Sequence, residues 1–160
     1  AIGMLAALLL KSYGCRGTVL AEVNPLRRQS AQEHAGVSTY DPRATQPQEN
    51  GFDYVIDAVG SKLTRAAALV AVKPGGVVMH VGLQDWASEI DMRKLTLAEI
   101  TLLGTYTYTT ADLRATVQLL HEGAFGDLSW VKSVPLDEGA QAFVDLDSGR
   151  LASSKVVLVP

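Results

Sequence analysis

A chain of 160 residues that is 48% hydrophobic and 19% charged is long enough to bury a sizeable core, and one globular domain over residues 1–160 is the expectation. Its formal charge of −3, with no basic stripe beyond the pair Arg27 and Arg28, excludes a protein that binds nucleic acid through its phosphates. The longest apolar run, Met4 to Leu10, is too short to span a bilayer and lacks signal-peptide flanks, and a single cysteine excludes internal disulfides and cysteine metal clusters; a cytoplasmic protein without membrane partners is expected.

Ile2 to Tyr13 is rich in Ala and Leu, with Leu5, Leu8, Leu9 and Ser12 at helical spacing and apolar residues nearly all round. This predicts a helix buried on most of its surface and closed by Gly14. Cys15, next along, reads as a buried filler rather than a reactive thiol. Thr18 to Val23 is a short β-branched run without polar alternation, which suits a strand covered on both faces. Gly3 precedes Glu22 by about 20 residues, the interval between the last glycine of a G-x-G-x-x-G/A turn and the acid that accepts a ribose diol. The same two residues read equally as an ordinary helix-start glycine and a solvated acid.

Pro25 opens a second helix that Gly36 ends, and Val37 to Tyr40 follows as a short strand. Asp41 to Asn50, with its prolines and amides, is a surface loop. Phe52 to Val59 is a strand stopped by Gly60. Leu63 to Val72 is a helix that Lys73-Pro74-Gly75-Gly76 separates from a strand over Val77 to Val81. Beyond it come a short helix (Asp91 to Ile100), a strand (Thr101 to Thr107) and a helix (Asp112 to Glu122) with Thr110 as N-cap. Residues 129–160 form a terminal strand–helix–strand extension: Trp130 to Val134, Pro135 to Leu146 with Ala140, Phe143, Val144 and Leu146 on its apolar side, and Ser154 to Val159. The alternation specifies an α/β, doubly wound parallel sheet, in which ligands sit beyond the carboxyl ends of the strands. Glu22, Ala58 to Gly60 and Val81 to Leu83 lie at such ends.

Taken in order, these landmarks resemble the C-terminal, nucleotide-binding half of the medium-chain dehydrogenase/reductase superfamily, the zinc-type alcohol and polyol dehydrogenases. Ala1-Ile2-Gly3 is similar to the end of the family's glycine motif, and Leu20 to Asn24 to the acidic end of its second strand. Phe52 to Gly60 is similar to its fourth strand, and Lys73 to Val78 with Val81-Gly82-Leu83 to its fifth. Leu103 to Tyr106 resembles the strand entering the nicotinamide region, and Gly149-Arg150 to Leu158 the returning terminal strand. The resemblance implies a Rossmann fold whose first strand, and whose catalytic domain, lie outside this chain.

It also implies roles. Ile2 and Gly3 belong to the glycine turn; Glu22 would hold the adenosine ribose hydroxyls and favour NAD over NADP. Arg27 would border the same ribose, or stand as a solvated arginine, and Val23 and Val59 would wall the adenine slot. Ala58, Val81, Gly82 and Leu83 would pass under the nicotinamide half. The backbone of Thr105 and Thr107 would reach the carboxamide, and Lys155 would stand near the pyrophosphate. Hydride transfer between an alcohol or polyol and the nicotinamide is the implied reaction, with zinc held by the absent domain and no catalytic or metal residue in this chain. His34 and His121 read as solvated helix residues and His80 as a structural histidine. A zinc-free quinone reductase of the same superfamily, a non-catalytic nucleotide-binding module and a methyltransferase-like fold are the rival readings. Pairing of relatives along the edge at Thr101 to Tyr108 implies a homodimer or homotetramer.

Overall fold

The computed structural model describes residues 1–160. Two compact units divide the chain: Ala1–Thr45 with Thr110–Pro160, and Gln46–Thr109. The first unit contains α1 (Ile2–Ser12), β1 (Val19–Ala21), α2 (Pro25–Ala35), β2 (Ser38–Tyr40), α5 (Thr110–His121), β6 (Val131–Pro135), α6 (Gly139–Asp147) and β7 (Lys155–Val159). The second contains β3 (Phe52–Asp57), α3 (Lys62–Ala71), β4 (Val72–His80), α4 (Met92–Leu97) and β5 (Thr101–Gly104).

Every ladder is parallel: β1 with β2, β3 with β4 and β4 with β5, and β6 with β7. Each step from one strand to its neighbour passes through a helix, as parallel pairing requires. This is the α/β, parallel, doubly wound architecture of a Rossmann-like nucleotide-binding domain.

In the first unit α1 lays Met4, Ala7 and Leu8 against Ala31, Ala35, Val37, Phe125 and Trp130. Contrary to the expectation of burial nearly all round, Ile2 and Leu5 stay exposed, because one face alone packs on α2. A helix that is apolar on every side carries no periodicity to say which face that will be. Cys15 is exposed, not buried: Gly14 and Gly17, at φ +78° and +74°, turn the chain outward around it. β1 is also less covered than its composition suggested, with Val19 and Ala21 exposed. Pro25 does sit in the first turn of α2, and Gly36, at φ +67°, closes it in the left-handed conformation. On α6 the buried residues are Gly139 and Ala142, whereas Phe143 is 73% exposed. The helix approaches β7 so closely that a Cβ on Gly139 would stand 3.0 Å from a Leu158 methyl, so small residues and not the aromatic face the sheet.

In the second unit Ala68 and Leu69 of α3 pack on Val72, Val78 and Ile100. Lys73 to Gly76, expected to break helix from strand, belongs to β4 itself. The ladder absorbs these residues as an irregularity in which Phe52 pairs Val72 and Tyr54 pairs Val77. α4 and β5 are shorter than predicted, β5 stopping at Gly104 ahead of Thr107, whose φ is +53°.

α3 starts on a reciprocal cap: Ser61 Oγ accepts the Thr64 N–H at 3.1 Å, and Thr64 Oγ1 accepts the Ser61 N–H at 2.9 Å. Replacing Ser61 by Ala is expected to cost about 1 kcal/mol, and by Asp much less, read as shifts in the denaturation midpoint. Equal midpoints for Ser61→Ala and the wild type contradict the cap's contribution.

Candidate nucleotide-binding site

At the carboxyl end of β1 the chain turns through Glu22, Val23 and Asn24 into α2. Glu22 Oε1 accepts the Asn24 N–H at 2.9 Å, which fixes the carboxylate over the turn. Asn24 Oδ1 caps α2 by accepting from Leu26 N at 2.9 Å and Arg27 N at 3.3 Å, while its Nδ2 donates to the Gly149 carbonyl at 2.7 Å. Arg27 is half-buried, not a solvated arginine: its Nη2 donates to the Leu146 carbonyl at 3.1 Å and its Nε is enclosed without a partner. Ala1 lies within electrostatic range of Arg27, Glu22 and Lys155, so the start of α1 and three of the expected site residues share one neighbourhood. Ile2, Val23 and Lys155 are exposed and Gly3 half-buried.

Around the same turn stand three charged residues that no sequence signal singled out. Arg28 donates to the Glu22 carbonyl at 2.7 Å and approaches Asp41 at 3.3 Å. Arg43 forks Asp41 through Nε at 3.0 Å and Nη2 at 2.7 Å, and Nη2 also donates to the Val23 carbonyl at 2.7 Å. The Arg43 side chain, then its backbone N–H, hold the Asp41 carboxyl far below the usual carboxylate range. With its pKa lowered on folding, Asp41 contributes at neutral pH, and that contribution declines as acid takes the solution below the ordinary carboxylate range and is gone once the pH has fallen through the lowered value.

The second unit builds a tighter feature at the carboxyl ends of β3 and β4. The buried Asp57 carboxylate accepts the N–H groups of Val59 at 3.1 Å and Gly60 at 2.8 Å through Oδ1, and its main-chain carbonyl accepts those of Val81 at 2.9 Å and Gly82 at 3.0 Å. Two loops are thereby pulled together until a Cβ on Gly60 would overlap the Gly82 carbonyl and one on Gly82 would overlap the Val59–Gly60 peptide. Gly60 also sits at φ +71°. Beside this crossing Ala58 and Val81 are half-buried, and Val59 and Leu83 exposed. Thr105 donates its N–H to the His80 carbonyl at 3.1 Å, and Thr107 follows in the left-handed region.

His80 has a structural setting. Its Nε2 accepts from Arg65 Nε at 3.0 Å, and Arg65 reaches on to Ser88 Oγ at 2.9 Å and the Asp85 carbonyl at 2.5 Å. His34, expected to be solvated, is half-buried with Nδ1 3.2 Å from Ser129 Oγ, and His121 is exposed. No group of three or more His, Cys, Asp or Glu side chains is placed to hold a metal ion. Asp57 carries a signal that sequence alone could have used, an acid three residues before a glycine at a strand end; so does Asn24, a capping residue directly before a first-turn proline.

The profile of a family described as "Zinc-binding dehydrogenase" matches residues 1–122. The chain belongs to that family. Within it, the chain is the nucleotide-binding portion of the medium-chain dehydrogenase/reductase fold, the NAD(P)-binding part of the zinc-dependent alcohol dehydrogenase superfamily. It is 27% identical over 180 residues to a probable diacetyl reductase [(R)-acetoin forming] of Saccharomyces cerevisiae, covering 99% of this chain and 42% of that protein. Among solved structures it is similar to an alcohol dehydrogenase from Thermus sp. ATN1, at 22% identity with a TM-score of 0.89, covering 99% of this chain and 48% of that one. It is also similar to acetophenone reductase from Geotrichum candidum in complex with NAD, at 23% identity with a TM-score of 0.85, covering 99% of this chain and 46% of that one. The chain therefore spans less than half the length of these relatives. No helix of this family member is long and apolar enough to cross a membrane.

The loop crossing sets a clear expectation. Gly82→Ala should destabilise the domain by about 3 kcal/mol, since backbone rather than a flexible side chain must move. Gly104→Ala, where an added Cβ meets nothing within 4 Å, should stay within about 1 kcal/mol of the wild type. Urea denaturation of the two variants checks both, and equal effects contradict the crossing.

Proposed function

We propose that this chain binds and orients NAD in an oxidoreductase that interconverts an alcohol or polyol and its carbonyl compound, as part of a longer protein. The observation that carries this reading is the Gly60–Gly82 crossing at the carboxyl ends of two parallel strands. Beside it Ala58 and Val81 are half-buried and Val59 and Leu83 exposed, at the strand ends where parallel sheets of this kind take their ligands. When bound, the nicotinamide supplies the hydride acceptor or donor; the chain's own residues hold it in place.

Glu22 is the residue for the adenosine ribose. Its carboxylate is pinned by the Asn24 N–H, keeps its second oxygen for the ribose hydroxyls and repels a 2′-phosphate, which favours NAD over NADP. Arg27 and Lys155 supply positive charge beside the start of α1, where an anionic pyrophosphate is stabilised. Ile2, Gly3, Val23, Ala58, Val59, Val81, Leu83, Thr105 and Thr107 complete the proposed contacts. Zinc dependence would come from residues outside this chain, and the alcohol pocket likewise. The outer edge of β5 is unpaired and its residues exposed, which suits a homodimer or homotetramer formed along that edge. A cytoplasmic location goes with this reading.

Calorimetric titration of the intact protein with NAD and with NADP tests it. NAD is expected to bind at least about tenfold more tightly than NADP, and Glu22→Ala to weaken NAD by about tenfold, the cost of a lost charged hydrogen bond. Binding of neither nucleotide, or NAD binding indifferent to Glu22→Ala, contradicts the proposal.

A further inference from the structure

Asp41 stands where a single carboxylate answers two guanidinium groups. Arg43 forks it with two donors, Arg28 approaches the same Oδ2 at 3.3 Å, and the Arg43 N–H closes the turn on Oδ1 at 3.0 Å. Each arginine then ends on the backbone of the Glu22–Val23 turn, Arg28 on the Glu22 carbonyl and Arg43 on the Val23 carbonyl. The guanidinium groups thus lie folded onto the stretch that carries Glu22, Arg28 engaged through Nη1 and Arg43 through Nε and Nη2. Arg43 is the freer of the two, its side chain 66% exposed against 22% for Arg28.

A guanidinium beside a ribose acid is the usual partner of a 2′-phosphate, because its planar fork matches the phosphate oxygens. Here two such groups stand at the turn and both are held by the one carboxylate of Asp41. We propose that Asp41 is a cofactor-specificity determinant, which holds Arg28 and Arg43 against the Glu22–Val23 backbone and so withholds them from the 2′-phosphate of a phosphorylated dinucleotide. Rejection of the phosphate then has two coupled sources: the negative charge of Glu22 and the engagement of both guanidinium groups by Asp41. The inference rests on the nucleotide reading of Glu22 given above.

Without Asp41 the guanidinium groups of Arg28 and Arg43 lose the carboxylate they share. Arg43, released at its fork, swings on a flexible stem into solvent and reaches a phosphate bound at the ribose. Glu22→Gln alone gives little, since the arginines stay engaged; Asp41→Asn alone gives a part; the two together give more than the sum of their separate effects.

The test is calorimetric binding of NAD, NADP, 5′-AMP and 2′,5′-ADP to the intact protein, wild type and variants, at low and high salt. Asp41→Asn is expected to tighten NADP and 2′,5′-ADP by about tenfold while NAD and 5′-AMP stay within about threefold, and Arg43→Gln added to it to remove the gain. Parallel changes in all four ligands, or no gain for the phosphorylated pair, overturn the proposal. Should Asp41→Asn melt below the assay temperature, Arg43→Gln in the wild-type background decides. NADP affinity unchanged within about threefold supports the engaged state, and a specific loss of NADP binding overturns it, since Arg43 would then already reach the phosphate. NAD binding that depends on Glu22 with no NADP gain overturns this proposal alone; a wild type that binds neither nucleotide overturns the nucleotide reading with it.

Discussion

Four main-chain N–H groups end on Asp57, two on its carboxylate and two on its carbonyl, and the carboxyl ends of β3 and β4 depend on that convergence. A carboxylate whose side chain is only 2% exposed is costly unless donors surround it, and here the donors are the loops that must meet. The glycines follow from the acid. Once Val59, Gly60, Val81 and Gly82 are drawn to one residue, their backbones approach within a distance that excludes a Cβ on either side. From there the pairing continues, Gln84 N to the Val59 carbonyl and Asp85 N to the Gly60 carbonyl, and Arg65 braces the far end through Asp85 and Ser88. The remaining Asp57 oxygen has no hydrogen-bond partner and lies 3.9 Å from His80 Nε2. That nitrogen already accepts from Arg65, which assigns the His80 proton to Nδ1.

The first unit uses an amide where the second uses an acid. Asn24 caps α2 with its oxygen and holds the Gly149 carbonyl with its nitrogen, tying residues 125 positions apart in the chain. Arg27 adds a second stitch to Leu146. The terminal strand–helix–strand segment is thereby fastened to the very turn that presents Glu22, so this acid is positioned by parts of the chain far from it in sequence.

The order of elements was legible because glycine, proline and β-branched runs are local signals. Pro25 and Gly36 mark the two ends of α2 for reasons of backbone geometry alone, and Gly60 stops β3 in the same way. Burial was less legible, since it depends on what arrives from elsewhere. α1 is apolar all round yet buries one face, α6 turns Phe143 away because β7 lies too close for it, and Lys73 to Gly76 looks like a break but is held in β4 by its neighbour β3. Among the candidate site residues, Glu22 and Gly82 stand out by spacing and by fold. The network of Arg28, Asp41 and Arg43 does not, because Arg28 meets the Asp41–Arg43 turn only after β1 and β2 pair, and no local rule links an arginine in a helix to a loop acid beyond the next strand.

A crystal structure of the intact protein with NAD bound would bear hardest on this account. The account predicts the adenosine ribose hydroxyls within hydrogen-bond distance of the Glu22 carboxylate, and the nicotinamide ribose in van der Waals contact with the Gly82 backbone. A dinucleotide bound elsewhere, or one whose adenosine ribose is turned away from Glu22, would contradict it.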